Sequence, residues 1–196
     1  GTMGNGIAQA FALCGYDVTM TDVSEAAVQR GLKNVDGSLD RLVKKEKLTA
    51  EAKAAAMARI RTATDLKAVR GSDLMIEAAT ENLDLKLKIF GELAELASER
   101  TILATNTSSI SITRLAAATR LSDRVIGMHF FNPVPVMQLV ELIRGLQTSD
   151  TTYAAVEAVA KQIGKTPVKV RNSPGFVVNR LLCPMITEAI YALAED

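Results

Sequence analysis

The sequence predicts an α/β protein with a doubly wound sheet, in which helices cover both faces. The first reason is that short apolar or β-branched segments, typical of strands, alternate with longer helical segments almost throughout the chain. The second is that 48% of the 196 residues are hydrophobic, which is enough to build a sizeable core. Only 4% are aromatic, so aliphatic side chains must fill most of that core.

The elements of the first half follow from periodicity and capping residues. Ser24 is a typical N-cap, and residues 31–61, rich in Ala, Leu, Lys and Glu, predict a pair of helices arranged as a hairpin. Thr49 is placed to start the second of these helices. The predicted elements are a helix over 7–13, a strand over 16–22, a helix from Ser24, the hairpin, and a strand over 60–62.

The second half continues the alternation. Asp150 is expected to cap one helix and Gly164 to end it, and a kink is expected at Pro184 in the last helix. The predicted strands cover 73–78, 101–105, 125–128, 136–143 and 167–170, and the predicted helices cover 84–97, 111–118, 150–163 and 179–196.

Composition excludes several classes of function. With 23 basic and 22 acidic residues the net charge is +1, which gives no bulk attraction to nucleic acid or to a membrane surface. No apolar run approaches the roughly 18 residues of a membrane span. Cys14 and Cys183 have apolar neighbours and no metal-ligand spacing, so they are interpreted as buried free thiols. These features predict a cytoplasmic protein, or an organellar one after processing.

A cluster of glycines opens the chain and leads into the first predicted helix. Gly1, Gly4 and Gly6 let a turn bend tightly and let backbone N–H groups approach a pyrophosphate at the positive helix end. Asp22, at the tip of the next strand, can accept both ribose hydroxyls of adenosine and repel the extra phosphate of NADP. An ordinary helix-entry turn is the alternative for the glycines alone. Together the features predict a Rossmann-type domain that binds NAD.

The only histidine, His129, lies between apolar residues and a proline-containing loop. A lone histidine is more often a packing or surface residue than a catalytic one. Glu141 lies in the apolar run 139–143, where an unpaired ionised carboxylate is costly. Either it faces solvent from an edge strand, or a strand–turn–strand return brings it beside His129. The second arrangement would create a general base, which an alcohol dehydrogenase requires.

Five motifs occur in order along the whole chain: residues 1–8 (GTMGNGIA), 81–82 (EN), 106–109 (NTSS), 129–133 (HFFNP) and 173–180 (SPGFVVNR). In this combination the sequence resembles the L-3-hydroxyacyl-CoA dehydrogenase family, and within it the bacterial 3-hydroxybutyryl-CoA dehydrogenases. The resemblance implies reversible, NAD-dependent oxidation of (S)-3-hydroxyacyl-CoA to 3-oxoacyl-CoA, with an acyl-CoA substrate and NAD as cofactor.

The resemblance also implies roles for single residues. His129 would be the general base, oriented by Glu141, and Ser108 and Asn179 would hydrogen-bond the reacting oxygen and the surroundings of the histidine. The implied cofactor contacts are Gly1, Thr2, Met3, Gly4, Asp22, Glu81, Lys86 and Asn106. The implied substrate contacts are Ser38, Lys45, Ser108, Asn132 and Asn179.

Structural alternatives accompany several of these roles. Ser38 and Lys45, seven residues apart on one helix face, could simply be solvated. Glu81 and Lys86 could form an ordinary surface ion pair. Ser108 and Asn179 could cap a helix or turn, and Ser109 could take the role of Ser108.

The expected domains are residues 1–172, an NAD-binding Rossmann-type domain with a helical-hairpin insertion, and residues 173–196, the start of an all-α C-terminal domain. Gly1 and Gly4 would be the second and third glycines of the G-x-G-x-x-G pattern, so the chain is expected to lack the first strand and most of the helical domain. The resemblance implies a homodimer through that domain. A dehydrogenase of a free hydroxy acid and a non-catalytic NAD-binding homologue are the alternative functions. The acyl-chain preference, the physiological direction and a fusion to a hydratase stay open.

Overall fold

The computed structural model describes residues 1–195; Asp196, the end of the predicted last helix and second domain, lies outside the described residues. Strands and helices alternate as predicted. The strands are β1 (Val18–Thr21), β2 (Ile60–Ala63), β3 (Leu74–Glu77), β4 (Ile102–Thr105), β5 (Val125–Phe130), β6 (Leu139–Arg144) and β7 (Thr166–Arg171). The helices are α1 (Thr2–Leu13), α2 (Glu25–Lys44), α3 (Ala50–Ala58), α4 (Leu83–Leu96), α5 (Ile112–Ala116), α6 (Asp150–Gln162) and α7 (Val178–Ala194).

Five strands form one sheet in the order β3-β4-β5-β6-β7, and β1 pairs in parallel with β2 in a second, two-stranded sheet. β3, β4 and β5 are parallel to one another, whereas β6 runs antiparallel to β5 and β7 is parallel to β6. The α/β class is confirmed. The antiparallel return from β5 to β6 is the strand–turn–strand arrangement that one interpretation of Glu141 required.

Helices cover both faces of the five-stranded sheet. On one face, α1 and α6 pack against Ala104, Ile126, Met128, Val140 and Leu142 of the strands. On the other face, α4 and α5 pack against Leu103, Val125 and Ile143. Adjacent residues of each central strand thus enter opposite halves of the core, as the pleat of a buried strand requires.

Most helix ends follow the predicted residues. The Ser24 hydroxyl accepts a hydrogen bond from Ala27 N, and the Thr49 hydroxyl accepts one from Ala52 N, so α2 and α3 form the predicted hairpin. Gly164, with φ +74°, follows the end of α6 as expected. The predicted cap of α6 was wrong by one residue. Ser149 is the N-cap, because its hydroxyl accepts from Thr152 N, and Asp150 lies in the first turn.

The prediction of buried cysteines was wrong, although both thiols are free. Cys14 and Cys183 are exposed. Cys14 is the C-cap of α1, where the chain turns towards the surface, and Cys183 lies on α7, whose apolar side chains are largely exposed. Among residues 1–195, no helix combines the length and the apolar character that crossing a membrane demands.

Candidate active site

His129 and Glu141 face each other across neighbouring strands. They are register partners on β5 and β6, and their side chains lie on the same face of the sheet. The distance from His129 Nδ1 to Glu141 Oε2 is 2.7 Å, and the two residues are 6% and 1% exposed. Because β6 is flanked by β5 and β7, the interpretation of Glu141 as a solvent-facing residue of an edge strand was wrong.

The second oxygen of Glu141 is held by the start of α7. Oε1 accepts hydrogen bonds from Val177 N and Val178 N, both at 3.0 Å, at the positive end of that helix. These donors satisfy one oxygen of the buried carboxylate. An ionised carboxylate can only accept, which assigns the proton of this contact to His129 Nδ1 and leaves a lone pair on Nε2.

Two phenylalanines flank the imidazole. The ring of Phe131 lies 4.5 Å from that of His129, and the ring of Phe176 lies 5.7 Å away. Phe176 is 1% exposed and has a φ of +52°, in the left-handed region that non-glycine residues rarely adopt. That backbone conformation directs the next two N–H groups towards Glu141. The turn before α7 is thus part of the support of the histidine.

The loop after β4 reaches both the histidine strand and α7. The Asn106 side chain accepts a hydrogen bond from Phe130 N at 2.9 Å, next to His129, and Asn179 Nδ2 donates to the Ser108 carbonyl at 3.4 Å. Ser111 caps α5 and Val177 is the N-cap of α7, so neither Ser108 nor Asn179 caps one of these helices. Asn132 is exposed, beyond the end of β5.

The glycine turn presents free backbone donors. α1 begins at Thr2 with Gly1 as its N-cap, without a side-chain cap and without an acidic residue in its first turn. The first N–H groups of a helix have no partner within it, so this end is suited to an anion such as a pyrophosphate. Asp22 Oδ2 lies 3.5 Å from Gly1 N, which brings the Asp22 carboxylate to the same turn. The donor set and the carboxylate fit NAD.

Glu81 and Lys86 have separate partners, so the alternative of a surface ion pair between them was wrong. Lys86 is 1% exposed and its ammonium contacts the Glu77 carboxylate. Glu81 instead accepts hydrogen bonds from the Thr107 hydroxyl at 2.6 Å and from Ser108 N at 2.7 Å. Glu81 therefore holds the loop that contains Ser108.

The family described as "3-hydroxyacyl-CoA dehydrogenase, NAD binding domain" matches residues 1–173. The chain belongs to the 3-hydroxyacyl-CoA dehydrogenase family. Its NAD-binding domain is the part in which the glycine turn and Asp22 lie.

Relatives in this family match over the whole chain. A 3-hydroxybutyryl-CoA dehydrogenase of Clostridioides difficile is 48% identical over 195 residues, which are 100% of this chain and 69% of that protein. The crystal structure of an (S)-3-hydroxybutyryl-CoA dehydrogenase from Ralstonia eutropha is 64% identical, with a TM-score of 0.97 over 100% of this chain and 69% of that one. The structure of a diketoreductase, an enzyme described as acting on dicarbonyl compounds, is 34% identical with a TM-score of 0.93, over 100% of this chain and 70% of that one.

The remaining predicted residues, Ser38 and Lys45, lie apart from the histidine cluster. Ser38 is a half-buried residue of α2, and Lys45 is the exposed C-cap of the same helix. Within residues 1–195, no hydrogen bond or ion pair joins either side chain to the other predicted site residues.

Two buried or half-buried groups near the site had not been predicted. Glu77 is a buried carboxylate at the end of β3. Like Glu141, it is an acid in an apolar strand, so the same sequence pattern could have predicted it. Lys165 Nζ donates to the carbonyls of Val134 at 2.5 Å and Met137 at 2.8 Å, within the loop that joins β5 to β6. Burial lowers the pKa of Lys165 below its ordinary value of 10.5.

Proposed function

We propose that the protein oxidises (S)-3-hydroxyacyl-CoA, with short chains such as 3-hydroxybutyryl-CoA as its substrates, to 3-oxoacyl-CoA, and that the reaction is reversible. The observation that carries the proposal is the buried contact of 2.7 Å between His129 and Glu141, in a chain with the family's NAD-binding domain. The substrate class rests on the names of the relatives, which are 3-hydroxybutyryl-CoA dehydrogenases.

The mechanism follows from the orientation of the imidazole. NAD, when bound, accepts the hydride that leaves C3 of the substrate. His129 Nε2 takes the proton of the 3-hydroxyl group, and the Glu141 carboxylate stabilises the imidazolium that forms. The Ser108 hydroxyl and the Asn179 amide donate hydrogen bonds to the reacting oxygen, on which negative charge grows. In the reverse direction, His129 returns the proton to that oxygen.

The residues around this centre divide between the two ligands. The backbone of Gly1, Thr2, Met3 and Gly4 would hold the pyrophosphate, and Asp22 the adenosine ribose. Glu81, Lys86 and Asn106 would bind the other half of NAD. Ser38, Lys45 and Asn132 would contact the CoA thioester, since a lysine ammonium suits a CoA phosphate.

A second candidate is a dehydrogenase that acts on a free hydroxy acid or dicarbonyl compound. The diketoreductase, 34% identical with a TM-score of 0.93, favours it, because that enzyme is described as acting on dicarbonyl compounds rather than on CoA thioesters. Both candidates use the same base and cofactor. They differ in whether turnover needs the CoA moiety.

The domain division is part of the proposal: residues 1–172 form the NAD-binding domain, and a helical domain begins at 173. The exposed apolar side chains of α7 support it, among them Leu181 at 68%, Met185 at 63% and Ile190 at 61% exposed. Further helices and a second protomer would cover them in a homodimer. The two exposed free thiols suit the reducing cytoplasm as the compartment.

The test compares the full-length protein with its His129→Gln variant, by NADH oxidation with acetoacetyl-CoA or free acetoacetate. We expect turnover with the thioester only, and a loss of about 10²–10⁴ in kcat for the variant, the usual contribution of a general base. NADH affinity should stay within about twofold of wild type because His129 is not expected to hold the cofactor. Met128→Leu, which changes the opposite face of β5, is the control with normal turnover. Normal kcat in His129→Gln would contradict the mechanism, and turnover of free acetoacetate would favour the second candidate.

A further inference from the structure

A second buried carboxylate lies where β3 and β4 end. Glu77 is the last residue of β3 and Thr105 the last residue of β4, and they are register partners. Glu77 is 4% exposed, Thr105 is 0% and Lys86, in the first turns of α4, is 1%. In open α/β sheets ligands bind beyond the carboxyl ends of the strands, so this cluster lies on the side of the sheet that binds ligands.

The Glu77 carboxylate joins three segments of the chain. Its Oε1 accepts a hydrogen bond from Ala79 N at 2.7 Å, in the loop after β3. Its Oε2 accepts from the Lys86 ammonium on α4 and from the Thr105 hydroxyl at 2.9 Å. The Thr105 oxygen in turn accepts from Thr107 N at 3.2 Å, in the loop that leads to Ser108. All of these groups are fixed by one carboxylate.

The cluster also adjoins the glycine turn. A Cβ placed on Gly4 would lie 4.0 Å from the Cβ of Ala78, the residue that follows Glu77. The loop after β3 therefore packs against the start of α1, where the pyrophosphate is expected. The loop after β4 is linked to the first one, because Glu81 accepts hydrogen bonds from Thr107 and Ser108.

Stability alone gives little reason to keep such an ion pair. Replacing a buried pair by apolar residues of similar size is often neutral or stabilising, whereas removing one partner is strongly destabilising. Lys86 has three N–H donors, of which Glu77 and Thr105, the latter at 3.5 Å, take two. The third N–H of the Lys86 ammonium has no hydrogen-bond partner among residues 1–195, although the side chain is buried.

We infer that Glu77 and Thr105 are positioning residues of the NAD site: they aim the Lys86 ammonium at the ribose on the nicotinamide side and hold the two loops that contain Glu81 and Ser108. The inference rests on the proposed function only in taking Lys86 as a cofactor contact. Glu77 and Thr105 themselves touch neither cofactor nor substrate; they act through Lys86 and the loop backbone.

The experiment measures NADH binding, by the fluorescence of the bound reduced nicotinamide, and the midpoint of urea unfolding, both on the full-length protein. The variants are Thr105→Val, Glu77→Gln and the charge-neutral pair Glu77→Leu/Lys86→Met. Thr148→Val is the matched control. Thr148 is 3% exposed, donates to Val125 O at 2.6 Å and accepts from Gly145 N at 2.8 Å, beside the first residue of β5, at the end of that strand opposite His129.

We expect the NADH dissociation constant to rise by roughly tenfold or more in Glu77→Gln and in the double variant, about the effect of one hydrogen bond to a charged group. Thr105→Val should raise it severalfold. The double variant should unfold near the wild-type midpoint, so that loss of affinity is separated from loss of stability. Thr148→Val should lose stability and keep its NADH affinity. In assays with acetoacetyl-CoA, the factor by which the KM for NADH rises should exceed the factor by which kcat falls.

Affinity within about twofold of wild type in the double variant would overturn the inference, since the cluster would then be structural. Equal weakening of NADH binding in Thr148→Val and Thr105→Val would also overturn it, because affinity would then follow stability. Wild-type turnover with acetoacetyl-CoA tests the proposed function separately. A wild-type protein that binds NADH but does not reduce the thioester would refute that function without touching the role of Glu77.

Discussion

Replacing Glu141 by glutamine removes the charge of the carboxylate while almost preserving its size. In the structure the two carboxylate oxygens accept three hydrogen bonds, from His129 Nδ1 at 2.7 Å and from the two α7 N–H groups at 3.0 Å. A glutamine has one accepting oxygen and one donating NH₂ group, so it cannot accept on both sides. We expect its oxygen to face α7, because two backbone donors there would otherwise lose their partner, and its NH₂ group to face His129.

That orientation inverts the tautomer of the imidazole. With an NH₂ group against it, His129 Nδ1 becomes the acceptor, and the single proton of the neutral ring moves to Nε2. The atom that should take the substrate proton then has no lone pair. General base catalysis contributes about 10²–10⁴ in rate. We therefore expect kcat to fall by about that factor, which corresponds to roughly 3–5 kcal/mol of activation free energy.

The assay is NADH oxidation with acetoacetyl-CoA across the pH range, together with NADH binding. Binding should stay within about twofold of wild type, because Glu141 faces the histidine and α7 rather than the glycine turn. Glu157→Gln, a change on the outer part of α6, is the control with unchanged kcat. A kcat for Glu141→Gln within about threefold of wild type would refute this reasoning, and so would a loss of NADH binding as large as the loss of kcat.

Three further predictions concern the packing of Gly6, with Gly91 as its comparison, the role of Asp22, and the β5–β6 loop. In urea unfolding, Gly6→Ala should lower the unfolding free energy by about 1–3 kcal/mol, since the new Cβ would lie 2.8 Å from Val134 Cβ. Gly91→Ala should instead raise it by about 0.5–1 kcal/mol, because a Cβ at this position would have no atom within 4 Å. Asp22→Ser should raise the ratio of kcat/KM for NADPH to that for NADH at least about tenfold, or about 1.4 kcal/mol, and an unchanged ratio would remove Asp22 from the ribose site. Lys165→Met should cost about 1–3 kcal/mol of stability and lower kcat, because the loop between His129 and Glu141 loses two hydrogen bonds from a charged group. A loss of stability with unchanged kcat would limit Lys165 to a structural role.

The elements were predictable where local chemistry decides them. Ser24 and Thr49 cap helices because a hydroxyl before a helical segment satisfies a free N–H group, and Gly164 ends α6 because it adopts a positive φ at no steric cost. The errors arose where that chemistry is ambiguous. Ser149 and Asp150 are adjacent and both are good caps, so sequence alone could not choose between them. The cysteines were misjudged because apolar neighbours in sequence do not guarantee burial on a helix end or on an uncovered face.

The contact between His129 and Glu141 was predictable because a proline-containing loop separates two short strands, and an antiparallel return places residues near the two ends of that loop opposite each other. The partners of Glu141 on α7 were not, since they are backbone N–H groups more than 30 residues away. The left-handed conformation of Phe176, which aims these donors, has no signature in side-chain type. Similarly, Lys86 was predicted to face a ligand, but its buried partner Glu77 was overlooked, because an acid at the end of a strand is ordinarily solvated.

Glu141 and Glu77 have the same arrangement. Each uses Oε1 to accept from the backbone, two N–H groups for Glu141 and one for Glu77. Each uses Oε2 to hold side chains, His129 in one case and Lys86 with Thr105 in the other. The backbone contacts fix the carboxylate, and the fixed carboxylate then orients a group that cannot be held by packing alone. In the proposed function one pair orients a proton acceptor and the other a cation, so the consequences of losing them should separate. Loss of Glu141 should appear in kcat at constant NADH affinity, and loss of Glu77 in NADH affinity with a smaller change in kcat. If both variants changed the same kinetic constant, the two carboxylates would belong to one network rather than to two.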